Sequence, residues 1–291
     1  MESSHFILAA IVASLVLMQI NQRLASPVIA IVERWLRWLV FAVGAAWACA
    51  SFQLIDRPFW TLVVVFCLLW LLLQTFYNWI GIKALSVSPL PLFPRYAVNQ
   101  SGEEWPMQPR LMRIREWLRN HGFKQVQALR AEVGGGIYLR VSVYQDAEAK
   151  LRVQVTFLPH ANGAISVCYS LTSVTAQGSR FVTDNLYIPF GGFYPEHWRV
   201  ERRPLCRSLA RLIARHRRRV GQSGEVVVPF TTEPAADLNS AQHELDRLNT
   251  ELGFLYAPAE REELGKITHE GRYRIWKEIW LLNYFGLAAR Y

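Results

Sequence analysis

The sequence predicts a membrane protein with three N-terminal transmembrane α-helices and a cytoplasmic α+β domain that contains an antiparallel β-meander. Three observations predict this class. The 291-residue chain is 52% hydrophobic, residues 58–82 carry no charged side chain, and apolar and polar residues alternate in short runs between residues 137 and 188. The four cysteines are too few for a disulfide scaffold of this length.

Three apolar segments, about 6–20, 36–55 and 59–82, are the predicted spans of an anchor over residues 1–83. A helix needs about 20 apolar residues to cross the hydrocarbon core, so the third segment is the strongest and the first is short. A cleaved signal peptide is the alternative for the first segment. A positive n-region is missing, since residues 1–5 contain only Glu2 as a charged residue, and this favours a retained span.

The cations predict the orientation of these spans. Arg23, Arg34 and Arg37 lie between the first two segments and Lys83 follows the third, whereas the turn at residues 56–58 is neutral. Because Lys and Arg in short loops stay in the cytoplasm, we expect the N-terminus outside and the C-terminal domain in the cytoplasm. Only five of the 32 cations are lysine, a bias typical of GC-rich bacterial genomes, so the predicted location is the bacterial inner membrane.

The second and third spans contain no ionisable residue in their interior, which predicts an anchor in the lipid bilayer rather than a transport pathway. Small residues at positions 44–46 permit close helix approach and a homo-oligomer. Five prolines between residues 86 and 109 predict an irregular linker over 84–108. The cytoplasmic α+β domain then covers 109–291.

The domain is predicted to begin with a helix over about 109–121 and to continue with four antiparallel strands. Apolar positions 137–143, 151–157 and 165–171 alternate with polar ones, and a fourth strand covers residues 180–188. One apolar face of this sheet needs a helical cover. A helix around residues 238–252 is also amphipathic. The last helix, about 268–285, carries an aromatic stripe that fits either core packing or the membrane interface.

The most distinctive segment is basic. Residues 199–219 hold nine arginines and one acid, within a chain of net charge +9. A helix is predicted from Pro204, with leucines on one face and arginines at every fourth position on the other. We define the arginine ridge as the candidate anion-binding residues Arg203, Arg207, Arg211, Arg215, Arg218 and Arg219.

Four anionic targets compete for this ridge. Phosphates of the inner leaflet attract juxtamembrane cations, and an acidic protein surface or a nucleic acid would serve in the same way, the nucleic acid being the less favoured of these. The fourth is the chain itself, because residues 233–265 hold eight acids and two cations. Pairing of the ridge with this acidic segment would make it structural.

A membrane-tethered enzyme of unknown chemistry is the alternative function. Its candidates are Cys206, whose thiolate neighbouring arginines could favour, together with His197 and Glu196. No nucleotide-binding glycine motif and no helical pair of histidines occurs, so neither a cofactor nor a metal is predicted. The favoured function is a membrane-anchored binding or regulatory module that uses the ridge to contact an anionic partner or the membrane surface.

Overall fold

The computed structural model describes residues 2–101, 105–134, 136–160 and 163–289. The chain forms two compact units. The first contains the chain up to Ser86 with Pro189–Gly191 and Arg272–Ala289, and the second contains Val87–Ile188 and Gly192–Gly271. The limits of anchor, linker and domain given by the sequence stay predictions; by contacts, the C-terminal segment belongs with the N-terminal helices.

The helices are α1 (Glu2–Leu24), α2 (Pro27–Ser51), α3 (Phe59–Val87), α4 (Pro109–Asn120), α5 (Leu209–Ser223), α6 (Pro234–Glu251), α7 (Arg261–Leu264) and α8 (His269–Trp280). A 3₁₀ turn, Pro258–Glu260, precedes α7, and a π-helical turn, Leu281–Phe285, follows α8. The strands are β1 (Arg95–Val98), β2 (Lys124–Glu132), β3 (Tyr138–Gln145), β4 (Arg152–Pro159), β5 (Ile165–Thr175), β6 (Arg180–Asp184), β7 (Trp198–Arg202) and β8 (Val227–Val228).

Two helices of the first unit are long and apolar enough to cross a membrane. They are Ile7–Leu24 within α1 and the whole of α3, with mean hydropathies of 1.6 and 2.2. Large apolar side chains of both helices are exposed, including Leu15, Leu68 and Leu72. Exposed apolar side chains of this size are typical of surfaces that meet a membrane or another protein.

The three predicted spans are not confirmed, because α2 differs from its neighbours. Its first half carries Glu33, Arg34 and Arg37, and the helix ends at Ser51, before the predicted limit of residue 55. The uncharged part, residues 38–51, would extend only about 21 Å at 1.5 Å per residue, short of a hydrocarbon core of about 30 Å. Glu33 is buried and forms an ion pair with Arg37 at 2.7 Å.

The aromatic stripe near the C-terminus packs inside the first unit. Trp280 and Tyr284 stack with ring centroids 4.6 Å apart, and Tyr284 meets the stacked pair Trp35 and Trp38 edge-on. The indole N–H of Trp35 also donates to the carbonyl of Tyr284 at 2.9 Å. Of the two predicted environments, packing describes these rings, whereas Tyr273 is half exposed.

The second unit contains a mixed sheet of eight strands in the order β1-β2-β3-β4-β5-β6-β7, with β8 beside β5. All neighbours are antiparallel except β6 and β7, which are parallel. The predicted meander is present as β3 to β6. Strands β2 and β7 were not predicted from the sequence. The predicted linker contains a strand, β1, whose Tyr96 backbone exchanges two hydrogen bonds with the Asn239 amide.

Helices cover both faces of this sheet, not one. The register pairs Ser142 with Val155 and Tyr144 with Val153, so the apolar rows of β3 and β4 point to opposite faces. The row of β4 forms a core with α4 and α5. The row of β3, with Val141 and Val143, packs with β2 and with Leu238 of α6. The prediction of one shared apolar face was therefore wrong.

Candidate anion-binding surface

The arginine ridge does not lie on one continuous helix. Helix α5 begins at Leu209, where the Ser208 hydroxyl accepts from the Arg211 backbone N–H, and it ends before Gly224 in the left-handed region at φ 70°. Arg203 and Arg207 precede the helix, in a segment closed by the Cys206 N–H donating to the Arg203 carbonyl at 2.9 Å. The predicted start at Pro204 was wrong because this turn and the serine cap come first.

Three ridge residues share one carboxylate, which offsets one of their three positive charges. Glu201 of β7 forms ion pairs with Arg203, Arg215 and Arg219 at distances of 2.5, 2.9 and 3.1 Å. Burial alone would raise the pKa of Glu201, but hydrogen bonds from Arg215 and Arg203 and the nearby positive charges outweigh it and hold the pKa below its usual value. This acid is the only one within residues 199–219.

Arg219 belongs to the interior of the unit rather than to a binding surface. Its guanidinium donates to the carbonyl of Val182 at 3.0 Å and to the Thr183 hydroxyl at 2.6 Å, and it also donates to the carbonyl of Arg199. Burial is the main reason that its pKa is lowered. A side chain bound in this way attaches α5 to the sheet edge and is not free to meet a partner.

Arg211 and Arg218 point away from the buried seam of α5 and are exposed, as is Arg217. Among the residues that the structure describes, no carboxylate pairs with any of these three. Arg207 is also exposed, and its pKa is lowered first by partial burial and then by the charge of Arg110. Two guanidiniums in such proximity repel each other and favour an anion nearby.

Sequence reasoning missed that α4 extends this surface. Its twelve residues contain four arginines, Arg110, Arg113, Arg115 and Arg119, and one acid. Leu111 and Leu118 of α4 and Leu212 of α5 join the same core, so both helices lie on the same face of the sheet. We call α4 and α5 together the basic layer. The polar face of the predicted helix 109–121 was the signal that could have revealed it.

The acidic helix α6 lies on the opposite face of the sheet from the basic layer. Its Asp237, in the first turn of α6, binds Arg152 of β4 and Arg180 of β6 at 2.7 and 2.8 Å. Further along α6, Asp246 pairs with Arg261. Of the four alternatives for the ridge, pairing with residues 233–265 does not occur among the described ion pairs.

The candidates for an enzyme are not brought together. His197 pairs with Glu244 at 3.6 Å, the Cys206 thiol donates to the Ser208 carbonyl at 3.6 Å, and Glu196 is exposed. In the described part of the chain no hydrogen bond or ion pair joins any two of the three candidates. Burial raises the pKa of the other thiol of this unit, Cys168, to about 12, which keeps it protonated and unreactive.

Groups of three or more metal-ligating side chains are absent from the described residues. The one fully buried histidine, His216, is bound by two hydroxyls. Its Nδ1 and Nε2 atoms lie 2.9 Å from Thr183 and 3.1 Å from Ser173. Ser173 donates its own proton to the Lys150 carbonyl, so it accepts from Nε2–H. Burial lowers the pKa of His216 to about 4, so the imidazole is neutral at pH 7. This network is structural.

Comparison of the chain with family profiles, with curated proteins and with solved structures gives no match. The charges and contacts of the molecule are therefore the basis on which its function is inferred.

Proposed function

We propose that this protein is a membrane-anchored binding module whose basic layer contacts an anionic surface, with the acidic headgroups of a lipid membrane as the preferred partner. The observation that carries the proposal is that charged side chains have ion-pair partners on one side of the sheet, whereas several on the other side do not. The basic layer leaves Arg211, Arg217 and Arg218 exposed without a described carboxylate partner, whereas the buried acid of α6 is paired twice.

The stability of the fold alone does not explain such a surface. Like charges on one helix destabilise it by a few tenths of a kcal/mol per pair, and α5 contains five arginines and no acid. An anionic membrane supplies the missing counter-charge at about 1 kcal/mol per cation near the surface. An acidic protein is the second partner class that this surface fits.

We further propose that α1, α2 and α3 all cross the membrane and that the second unit is cytoplasmic. Residues 38–55 are uncharged, and the long side chains of Arg34 and Arg37 can extend to the interface from a helix end. With the second unit in the cytoplasm, the Asp56–Pro58 turn lies outside whether or not α2 crosses, but three crossings place the N-terminus outside and two would place it inside. A Ser4→Cys variant and an Arg57→Cys variant should therefore both react with an impermeant maleimide added to intact cells. Reaction only after the cells are opened would contradict this topology.

The binding proposal is tested with the full chain in nanodiscs of zwitterionic lipid. Co-sedimentation with added vesicles should show binding to vesicles that contain phosphatidylglycerol and none to zwitterionic vesicles. Replacing Arg211 and Arg218 by Gln should weaken the binding about thirtyfold, because each cation near an acidic surface contributes about 1 kcal/mol. The binding should also fall with added salt, since screening acts over about 8 Å at physiological ionic strength.

A matched control removes two cations outside the basic layer. Lys150 and Arg247 are exposed and paired with Glu148 and Glu251, so K150Q/R247Q changes the net charge by the same amount and should reduce binding less than threefold. Equal losses in both variants would mean that net charge, not the basic layer, controls binding. Binding to an acidic peptide but not to vesicles would favour the protein partner.

A further inference from the structure

A cleft lies at the C-terminal end of α4, where the chain turns into β2. Its volume is about 440 Å³, within the usual range for small-ligand sites. The turn depends on Gly122, whose φ of 79° lies in the left-handed region, and it brings the first residues of β2 beside the last turn of α4. The lining residues are Arg115, Arg119, Gly122, Phe123, Lys124, Gln125 and Tyr144.

The charge of this cleft is entirely positive. Arg115 and Arg119 are four residues apart and therefore lie on one side of α4, and Lys124 approaches from the strand. No carboxylate lines the cleft, and among the described residues none forms an ion pair with these three cations. The contrast with Arg203, Arg215 and Arg219, which share Glu201, is direct.

The base of the cleft is ordered by packing. Phe123 and Tyr144 are 3% and 1% exposed and belong to the core under α4 and α5. The Tyr144 hydroxyl donates to the Gln125 side-chain oxygen at 3.3 Å, and its ring meets Trp105 edge-on. The cations therefore line the cleft together with ordered aromatic and amide side chains, against which a small ligand can pack.

We propose that this cleft binds a phosphomonoester group. Such a group carries about −1.5 to −2 charges at pH 7 and three acceptor oxygens, which matches two guanidiniums and one ammonium. Guanidiniums bind phosphate through two parallel hydrogen bonds, and lysine acts as a point charge. This binding goes beyond general attraction to an acidic surface, because it concerns one open cleft and a ligand of defined chemistry.

The group could be free or could be the headgroup of a lipid, and the experiment separates these sources. The full chain in zwitterionic nanodiscs is titrated with glycerol 3-phosphate by calorimetry, with glycerol as the neutral control. In a second arm, vesicles with phosphatidic acid, a lipid phosphomonoester, are compared with phosphatidylglycerol vesicles of equal surface charge. Saturable binding of glycerol 3-phosphate supports a free ligand, and preference for phosphatidic acid with no binding of the soluble probe supports a lipid.

Two matched double variants locate the site. R119Q/K124Q should weaken binding of the phosphomonoester about a hundredfold, since each charge-assisted hydrogen bond lost accounts for at least about tenfold. R211Q/R218Q removes the same charge from α5. It should change the affinity for glycerol 3-phosphate less than twofold and should keep the preference for phosphatidic acid over phosphatidylglycerol, although its binding to all acidic vesicles falls. Both pairs of side chains are exposed, so the fold should persist, and unchanged thermal unfolding checks this.

R119K adds a test of geometry. It keeps the charge but loses the planar fork, so we expect affinity for the phosphomonoester to fall several-fold while binding to phosphatidylglycerol vesicles is unchanged. Equal losses of affinity for the α4/β2 and α5 variants would contradict the proposal that the cleft binds a phosphomonoester. Absence of binding of either phosphomonoester probe above the neutral controls would contradict it as well. The proposed membrane contact is tested separately, by the binding of R211Q/R218Q to phosphatidylglycerol vesicles.

Discussion

The helices on the two faces of the sheet differ in the sign of their charge and in how far that charge is paired. On one side, α4 and α5 together carry nine arginines and one acid, and most of their guanidiniums reach solvent. On the other side, α6 carries four acids and one cation, and its Asp237 is held between two arginines of the strands beneath it. The basic layer therefore presents much of its charge to solvent, whereas Asp237 of α6 is paired within the fold.

The difference separates charges that maintain the fold from charges that can meet a partner. Arg152 has 2% of its side chain exposed and lies over the ring of Phe230 at 4.0 Å, so its charge is removed from water and depends on Asp237. Arg211 and Arg218 form no ion pair with a carboxylate among the described residues. Stability should therefore respond to changes under α6, and binding should respond to changes on α5.

The largest effect is expected at Asp237. Burial would raise the pKa of this carboxyl, but hydrogen bonds and charges from Arg180 and Arg152 outweigh it and hold the pKa below its usual value. Asp237→Asn leaves two mostly buried guanidiniums without their counter-charge, which should lower the free energy of unfolding by about 3–5 kcal/mol. Urea unfolding of the full chain in detergent, followed by circular dichroism of the sheet, measures this.

The same change in the basic layer is the matched control. Glu201→Gln also removes a carboxylate shared by arginines. Arg203 and Arg215 are 43% exposed, so water replaces much of what they lose, and the less exposed Arg219 keeps its three uncharged oxygen acceptors. We expect a decrease of about 1 kcal/mol and tighter binding to acidic vesicles. If the two variants lose equal stability, the two layers do not differ in the way that their contacts indicate.

A further effect, limited to acid pH, is expected from His216 beneath the basic layer. Burial lowers its pKa to about 4, and the charges of Arg219 and Arg217 act in the same direction. The unfolded chain, with a pKa near 6.5, binds more protons between these values. The stabilisation is therefore complete above about pH 6.5 and is lost as the pH falls towards 4, by about 3 kcal/mol in total.

Urea midpoints of the wild type and of His216→Gln between pH 7 and pH 4 test this expectation. The variant should be less stable at pH 7, since it disturbs the hydroxyl network, but it should lose less stability on acidification. Parallel pH profiles for the two proteins would show that other groups, such as the paired carboxylates, account for the whole of the acid sensitivity.

Local patterns predicted the elements that depend on near neighbours. The helix over 109–121 appears as Pro109–Asn120, and the alternating runs appear as β3, β4 and β5, because periodicity records which side chains share a surface. Strand β2 was missed since a bulge between Gln125 and Gln127 interrupts its register. Strand β1 was missed because it depends on pairing with β2 and Asn239 within a proline-rich segment.

The sequence by itself determined the apolar helices, the excess of arginine in residues 199–219 and the amphipathic character of α4 and α6. Only the tertiary structure decided which charges meet. The sheet register sent the apolar rows of β3 and β4 to opposite faces, which placed the acidic segment and the arginines on different sides. The same folding brought Arg115, Arg119 and Lys124 around one cleft. Electrostatic attraction falls with distance and with intervening solvent, so the balance of acids and bases along the chain could not reveal which arginines remain unpaired.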